Sequence, residues 1–286
     1  MRRCAVVLLG VLLAVVVGCA RQSPVPTSTP TTSPVVATLR IGMTPDPTTG
    51  VLAELYLQAL VGKGRTASVV EVAEDPNTQV SRLMAGELDV VPTFAWTAAQ
   101  ALEVDTSDPQ RLVPDLAAAL DEEVAVLQPS AIDRGWRYVS TRADASLLDV
   151  TATTTVVSAE RWRTAPDGQA GLAAIYGAKP SVKVVDDVNQ RLAEVKAGAI
   201  GVFDATDPQV ADAEVKPVDD PKTMIAADPQ TALLRLELAD DDTVLDVVQQ
   251  LHATLDNAAV IGIRTRAAAV GVPTAVTEWL QAHPLK

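Results

Sequence analysis

Two kinds of side chain in this 286-residue chain have chemistry worth following: a cysteine thiol near the amino terminus and a small set of aromatic rings. Cys19 comes after a basic pair, Arg2-Arg3, an apolar run from Ala5 to Val17, and the small-residue ending Val16-Val17-Gly18. A thiol in that setting accepts diacylglycerol before the chain is cut ahead of it, so residues 1–18 are expected to be a lipoprotein signal peptide. The apolar run is shorter than the roughly 20 residues of a spanning helix, and a polar stretch follows at once. Lipidation of Cys19, with palmitate among its acyl chains, would hold the folded part at the outer face of the cell membrane, since more than one chain anchors stably. Cys4 falls in the discarded part, so the mature chain has no internal disulfide. A core cysteine is the alternative reading of Cys19.

Catalytic chemistry is poorly provided for. The two histidines, His252 and His283, stand without HExxH spacing or cysteine partners, so neither a metal nor a cofactor is expected. No GxSxG elbow, Walker loop or GxGxxG turn occurs, which speaks against an enzyme. The acid clusters Glu122-Glu123, Asp186-Asp187, Asp219-Asp220 and Asp240 to Asp242 fall on loops or helix starts, where carboxylates ordinarily face water. The formal charge of −13 becomes −15 once Arg2 and Arg3 are removed, a balance that argues against nucleic acid as a partner and favours a soluble monomer.

Aromatic residues make up only 3% of the chain, which sets Phe94, Trp96, Trp136 and Trp162 apart. The elements that must position them begin after a Pro/Ser/Thr-rich tether, residues 19–38, which can extend at about 3.1 Å per residue. Strand and helix patterns then alternate to the end, as expected of α/β layers with mainly parallel sheets. A strand at Leu39–Met43 leads to a helix through Gly62, with Thr48 or Thr49 as its cap. Next come a strand at 69–72, a helix capped by Asn77 or Thr78 and bearing Val80, Leu83 and Met84, and a strand at 88–91. A long helix over 109–123 and a strand at 124–127 precede the segment 136–141, where the chain is expected to leave its first lobe. The middle section carries strands at 153–157, 182–185 and 200–203. A strand at 231–236 and three helices close the chain.

Four segments carry a resemblance: LRIGMTPDPTTGVLAELYLQAL, TQVSRLMAGELDVVPTF, PDGQAGLAAIYG and AEVKAGAIGVFDAT. In order and approximate spacing they resemble the solute-binding proteins of glycine betaine, carnitine and choline (osmoprotectant) ABC importers, over nearly all of Leu39 to Lys286. The resemblance implies a two-lobed, periplasmic-binding-protein-like type II α/β fold with two hinge crossings, a small-molecule solute in the cleft and an ABC permease as partner. Lobe one is expected over 39–140 plus 226–286, and lobe two over 141–225.

In that family aromatic faces box a quaternary ammonium, a diffuse cation that cannot donate hydrogen bonds. The resemblance aligns family tyrosines with Phe94 and Trp136, both still aromatic. Trp96 replaces a usual glycine, and Trp162 takes a commonly bulky apolar position, so either is a candidate cleft wall; core packing is the alternative for each. Thr206 and Asp228 stand where further tyrosines are expected. Thr44 replaces a lysine of the first strand-to-helix loop, and Ala165 replaces an arginine. The aromatic box is therefore degenerate, and a different small solute is expected, with polar contacts from Thr44, Asp46, Thr48, Thr93 and Asp204. Arg137, with Arg134 on the other side of Trp136, is a candidate replacement for the missing cation. The competing reading keeps the fold but not transport: a cell-envelope lipoprotein binding a lipid, a polymer or another protein. A lipid-anchored enzyme is the weakest reading.

Overall fold

The computed structural model describes residues 38–120 and 124–286. The signal-peptide segment, Cys19, the tether up to residue 37 and the pair Glu122-Glu123 lie outside the described residues. In chain order the elements are β1 (Leu39–Met43), α1 (Pro47–Gly62), β2 (Ala67–Glu71), α2 (Pro76–Met84), β3 (Val90–Phe94), α3 (Ala95–Ala101), α4 (Leu112–Ala119) and β4 (Val124–Val126). The chain continues through β5 (Trp136–Ser140), β6 (Thr155–Ser158), α5 (Glu160–Thr164), α6 (Gly171–Tyr176), β7 (Ser181–Val184), α7 (Val188–Lys196), β8 (Ile200–Asp204) and β9 (Lys216–Pro217). It ends with β10 (Gln230–Arg235), α8 (Asp242–Thr254), α9 (Asn257–Val270) and α10 (Val272–Ala282).

These strands form two five-stranded sheets, one per lobe, in the orders β2-β1-β3-β10-β4 and β7-β6-β8-β5-β9. Each sheet has a parallel trio built by helical crossovers, as parallel pairing requires. Each also takes in one antiparallel strand, β5 or β10, directly after the chain crosses between lobes. Trp136–Ser140 pairs with β8 and β9 inside the second sheet, so the first crossing precedes Trp136 and the lobe-one boundary expected at 140 is corrected.

The central strands are covered on both faces, which explains why β3 and β10 are buried almost throughout. In β3, Val90 and Phe94 face the core beneath α1, α8, α9 and α10, while Val91 turns to the core beneath α2, α3 and α4. The same two-residue period splits β5: Trp136 and Tyr138 join one core, and Val139 joins the other.

Helix starts differ from the expected caps. Asp46 Oδ1 accepts from the Thr48 and Thr49 amides at 2.8 and 2.9 Å, and Asp75 Oδ2 accepts from Thr78 N at 2.9 Å. Both caps are Asp-Pro steps: proline at the first helical position has no N–H to satisfy, and the aspartate reaches the next free donors. The helix expected over 109–123 is shorter, Leu112–Ala119. Met84 of α2 is exposed.

The two crossing segments touch. A Cβ on Gly135 would lie 2.6 Å from the Ala226 carbonyl oxygen, so only glycine permits this approach. A buried polar network braces the first crossing against lobe one. His252 Nδ1 lies 2.7 Å from the Gln128 carbonyl, which can only accept, so that nitrogen carries the proton and Nε2 accepts from the Tyr56 hydroxyl at 2.6 Å. Gln230 Nε2 donates to the same hydroxyl at 3.0 Å, and Ser130 Oγ donates to Gln230 Oε1 at 2.7 Å. Burial pushes the Tyr56 phenol up and the His252 imidazole down, so both stay neutral.

Candidate ligand cleft

Between the sheets lies a cavity of about 560 Å³, within the range of small-molecule sites. Lobe one contributes the β1–α1 loop with Thr44 and Asp46, the end of β3 with Thr93 and Phe94, and the start of α3 with Trp96 and Thr97. The crossings add Arg134 and Asp228; lobe two adds Trp136, Arg161, Asp167 and Asp204.

Asp228 organises the lobe-one wall. Helix α3 has no cap of its own, and Asp228 supplies it from the second crossing by accepting from Trp96 N, Thr97 N and Thr97 Oγ1 at 2.9, 3.1 and 2.6 Å. Arg134 donates to Asp228 at 3.4 Å and to Thr97 Oγ1 at 2.9 Å, and its other terminal nitrogen faces Asp46 at 3.6 Å. These contacts hold the Arg134 guanidinium over the Phe94 ring, 4.0 Å from its centroid.

The opposite wall repeats the arrangement. Trp136 Nε1 donates to Asp167 Oδ1 at 3.0 Å, which fixes the indole, and Arg161 lies over that ring at 4.4 Å. Arg161 also pairs with Asp204. Although 45% of the Arg161 side chain meets solvent inside the cleft, the enclosing walls and then the like charge of Arg134 draw its pKa down to about 10. It remains cationic at neutral pH. Burial pushes the Asp167 carboxyl up, opposed by the indole hydrogen bond.

Beside the cavity the lobes are joined directly. Thr48 Oγ1 and Thr206 Oγ1 are 3.0 Å apart, and Arg264 of α9 donates to Thr48 Oγ1, Thr206 O and Asp207 Oδ1 at 3.1, 2.8 and 3.0 Å. Asn257 Nδ2 adds a bond to Ala205 O at 3.1 Å. Burial raises the Asp207 carboxyl against the pull of Arg264.

Of the residues singled out from the sequence, Thr44, Asp46, Thr93, Phe94, Trp96, Trp136, Asp204 and Asp228 meet at the cavity. Thr48 and Thr206 are buried in the lobe-to-lobe contact instead. Two expectations are corrected. Trp162 has no exposed surface: it packs edge-on against Tyr138 in the second lobe's core and donates its Nε1 to the tyrosine hydroxyl at 2.8 Å. Arg137 is exposed, because strand alternation turns it away from the face that carries Trp136. Arg134 lines the cavity, over the Phe94 ring. Sequence reasoning missed Arg161, Arg264 and Asp167. The one available signal was that Arg161 and Asp167 follow β6, at the carboxyl end of a parallel strand where α/β sheets place ligands.

Among the described residues no group of histidine, cysteine and acidic side chains can hold a metal, and no helix is long and apolar enough to cross a membrane. Residues 37–282 match the family model described as the substrate binding domain of ABC-type glycine betaine transport systems. The chain belongs to this family. Its members are extracytoplasmic solute-binding proteins that serve importers, not enzymes. No curated protein matches the chain by sequence.

Solved structures bear out the two-lobed type II fold. A glycine betaine/carnitine/choline ABC transporter protein superposes with a TM-score of 0.74 at 12% identity, covering 86% of this chain and 98% of that one. Apo YehZ from Escherichia coli gives 0.68 at 16% identity over 87% and 100%. Lactococcal OpuAC, closed on glycine betaine, gives 0.61 at 12% identity over 86% and 96%. At such identities the likeness speaks for the fold alone.

Proposed function

We propose that this chain is the receptor of an ABC importer whose solute is not a quaternary ammonium osmolyte of the glycine betaine and choline kind. One observation carries this reading: the two aromatic faces best placed to hold such a cation, Phe94 and Trp136, are already covered by the guanidinium groups of Arg134 and Arg161. A methylated ammonium ion would have to displace a like charge from each ring.

In this reading, lobe one (residues 38–126 and 230–286) and lobe two (136–225) hinge about the two crossings, and solute contacts from both sides favour the closed form. Lipidation of Cys19 and the tether of residues 19–38 would hold a monomeric receptor near its permease. The charged cavity lining disfavours the alternative of a lipid-binding envelope protein.

A thermal-shift screen of the purified protein against osmolytes, amino acids, sugars and lipids tests the proposal. A true solute stabilises by about 2.7 kcal/mol at a hundredfold excess over its Kd. A micromolar response to glycine betaine overturns the altered specificity. Silence from every small solute overturns the receptor reading.

A further inference from the structure

The receptor reading leaves the solute's chemistry open, and the cavity's unused hydrogen-bonding capacity narrows it. A guanidinium lying flat on an aromatic ring gives up one face, while its edge N–H groups stay in plane and free to grip a carboxylate with two parallel bonds. Arg161 lies with its face on Trp136; one terminal nitrogen already pairs with Asp204, and almost half of its side chain meets solvent, leaving the rest of its edge to receive a carboxylate. Three buried atoms on cavity-lining residues have no hydrogen-bond partner, one donor and two acceptors. Arg134 Nε is the donor, and the acceptors are Gln79 Oε1 and Asp204 Oδ1, the latter touching Arg161 as an ion pair without hydrogen-bond geometry.

Three of the other lining carboxylates are committed. Asp228 caps α3 and holds Arg134, Asp167 accepts from Trp136 and Ala226, and Asp207 accepts from Arg264. Asp46 uses Oδ1 to cap α1 and leaves Oδ2 facing the cavity side of Arg134 at 3.6 Å.

Resting on the receptor reading, we infer that the solute is a small zwitterion of the amino-acid type: its carboxylate binds the Arg161 edge, and its hydrogen-bond-donating ammonium binds Asp204 and Asp46. A cation that can donate satisfies those acceptors. A trimethylated nitrogen cannot, and on Phe94 and Trp136 it would meet rings already covered by guanidinium groups.

Isothermal titration of the intact protein with each of the twenty common amino acids, glycine betaine and choline tests this. The expected result is at least one amino acid binding ten times or more tightly than either methylated compound. The N-trimethyl form of that amino acid should bind at least tenfold more weakly. Arg161→Gln, checked by circular dichroism to be folded at the titration temperature, should weaken the amino acid at least tenfold, and Arg161→Lys should recover part of the affinity. Tightest binding of glycine betaine or choline overturns the inference and leaves the receptor reading standing. So does binding confined to a sugar in the wider screen, or an amino acid whose affinity ignores Arg161→Gln. No binding by any small solute overturns both.

Discussion

Arg264 of the first lobe donates to Asp207 of the second at 3.0 Å, an ion pair buried on both sides that fastens the lobes next to the cavity. Both partners are satisfied further: Arg264 reaches Thr206 O and Thr48 Oγ1, and Asp207 Oδ2 accepts from the Asp204 amide at 3.2 Å. The clasp therefore opposes opening, and the solute's contacts add to a bias already present in the protein.

Arg264→Ala would leave Asp207 buried without its cation, a loss of about 3–5 kcal/mol if the lobes stayed together. Opening the lobes lets water reach the carboxylate and relieves that cost. The radius of gyration from small-angle scattering should rise in the ligand-free variant, and solute affinity should fall. An unchanged radius would mean that the contact does not hold the lobes.

Trp162→Phe should destabilise the fold by about 1–3 kcal/mol, because the buried Tyr138 hydroxyl loses its indole donor. Urea unfolding measures the loss. Solute affinity should be unaltered, since the side chain has no surface on the cavity; a selective loss of binding would contradict its place in the core.

Stability should fall on acidification through His252. Its folded-state pKa lies below the ordinary value near 6.5, so beneath that pH the unfolded chain takes up a proton that the folded chain refuses. Melting temperatures between pH 8 and 5.5 should therefore decline more steeply in the natural protein than in His252→Gln. Equal slopes would contradict the neutral, doubly bonded imidazole.

Gly168→Ala should be among the most damaging small substitutions. The new Cβ would collide with the Trp162 carbonyl oxygen, and backbone cannot move aside as a side-chain tip can. A loss at or above the upper end of about 1–3 kcal/mol is expected from urea unfolding. Near-neutral behaviour would contradict the tight Pro166-Asp167-Gly168 turn.

Much of the fold was legible because period-two and helical patterns depend only on neighbours in sequence. Leu39–Met43, which begins the first sheet, is seen as a strand from its residues alone. The caps were placed two to three residues late because threonines and an asparagine were preferred to the aspartates ahead of Pro47 and Pro76. The first crossing was placed too far along the chain, since Trp136–Ser140 has the pattern of a buried strand in either sheet, and only its partners β8 and β9 decide which.

The cavity was less legible. Phe94 and Trp136 stand out as rare aromatics at strand ends, but the cations on their faces come from elsewhere: Arg134 from the crossing and Arg161 from α5. Flanking position in sequence made Arg137 look equivalent to Arg134, yet strand alternation turns Arg137 outward. Arg264 lies in the middle of a helix whose role in joining the lobes exists only once they meet.

The most direct measurement is a crystal structure of the protein with the amino acid that binds most tightly. Density for the solute should lie in the cavity, its carboxylate on the Arg161 edge and its ammonium at Asp204, with Arg134 and Arg161 still over Phe94 and Trp136. Solute bound outside the cavity, or arginines swung off rings that now hold the solute's cation, would contradict it.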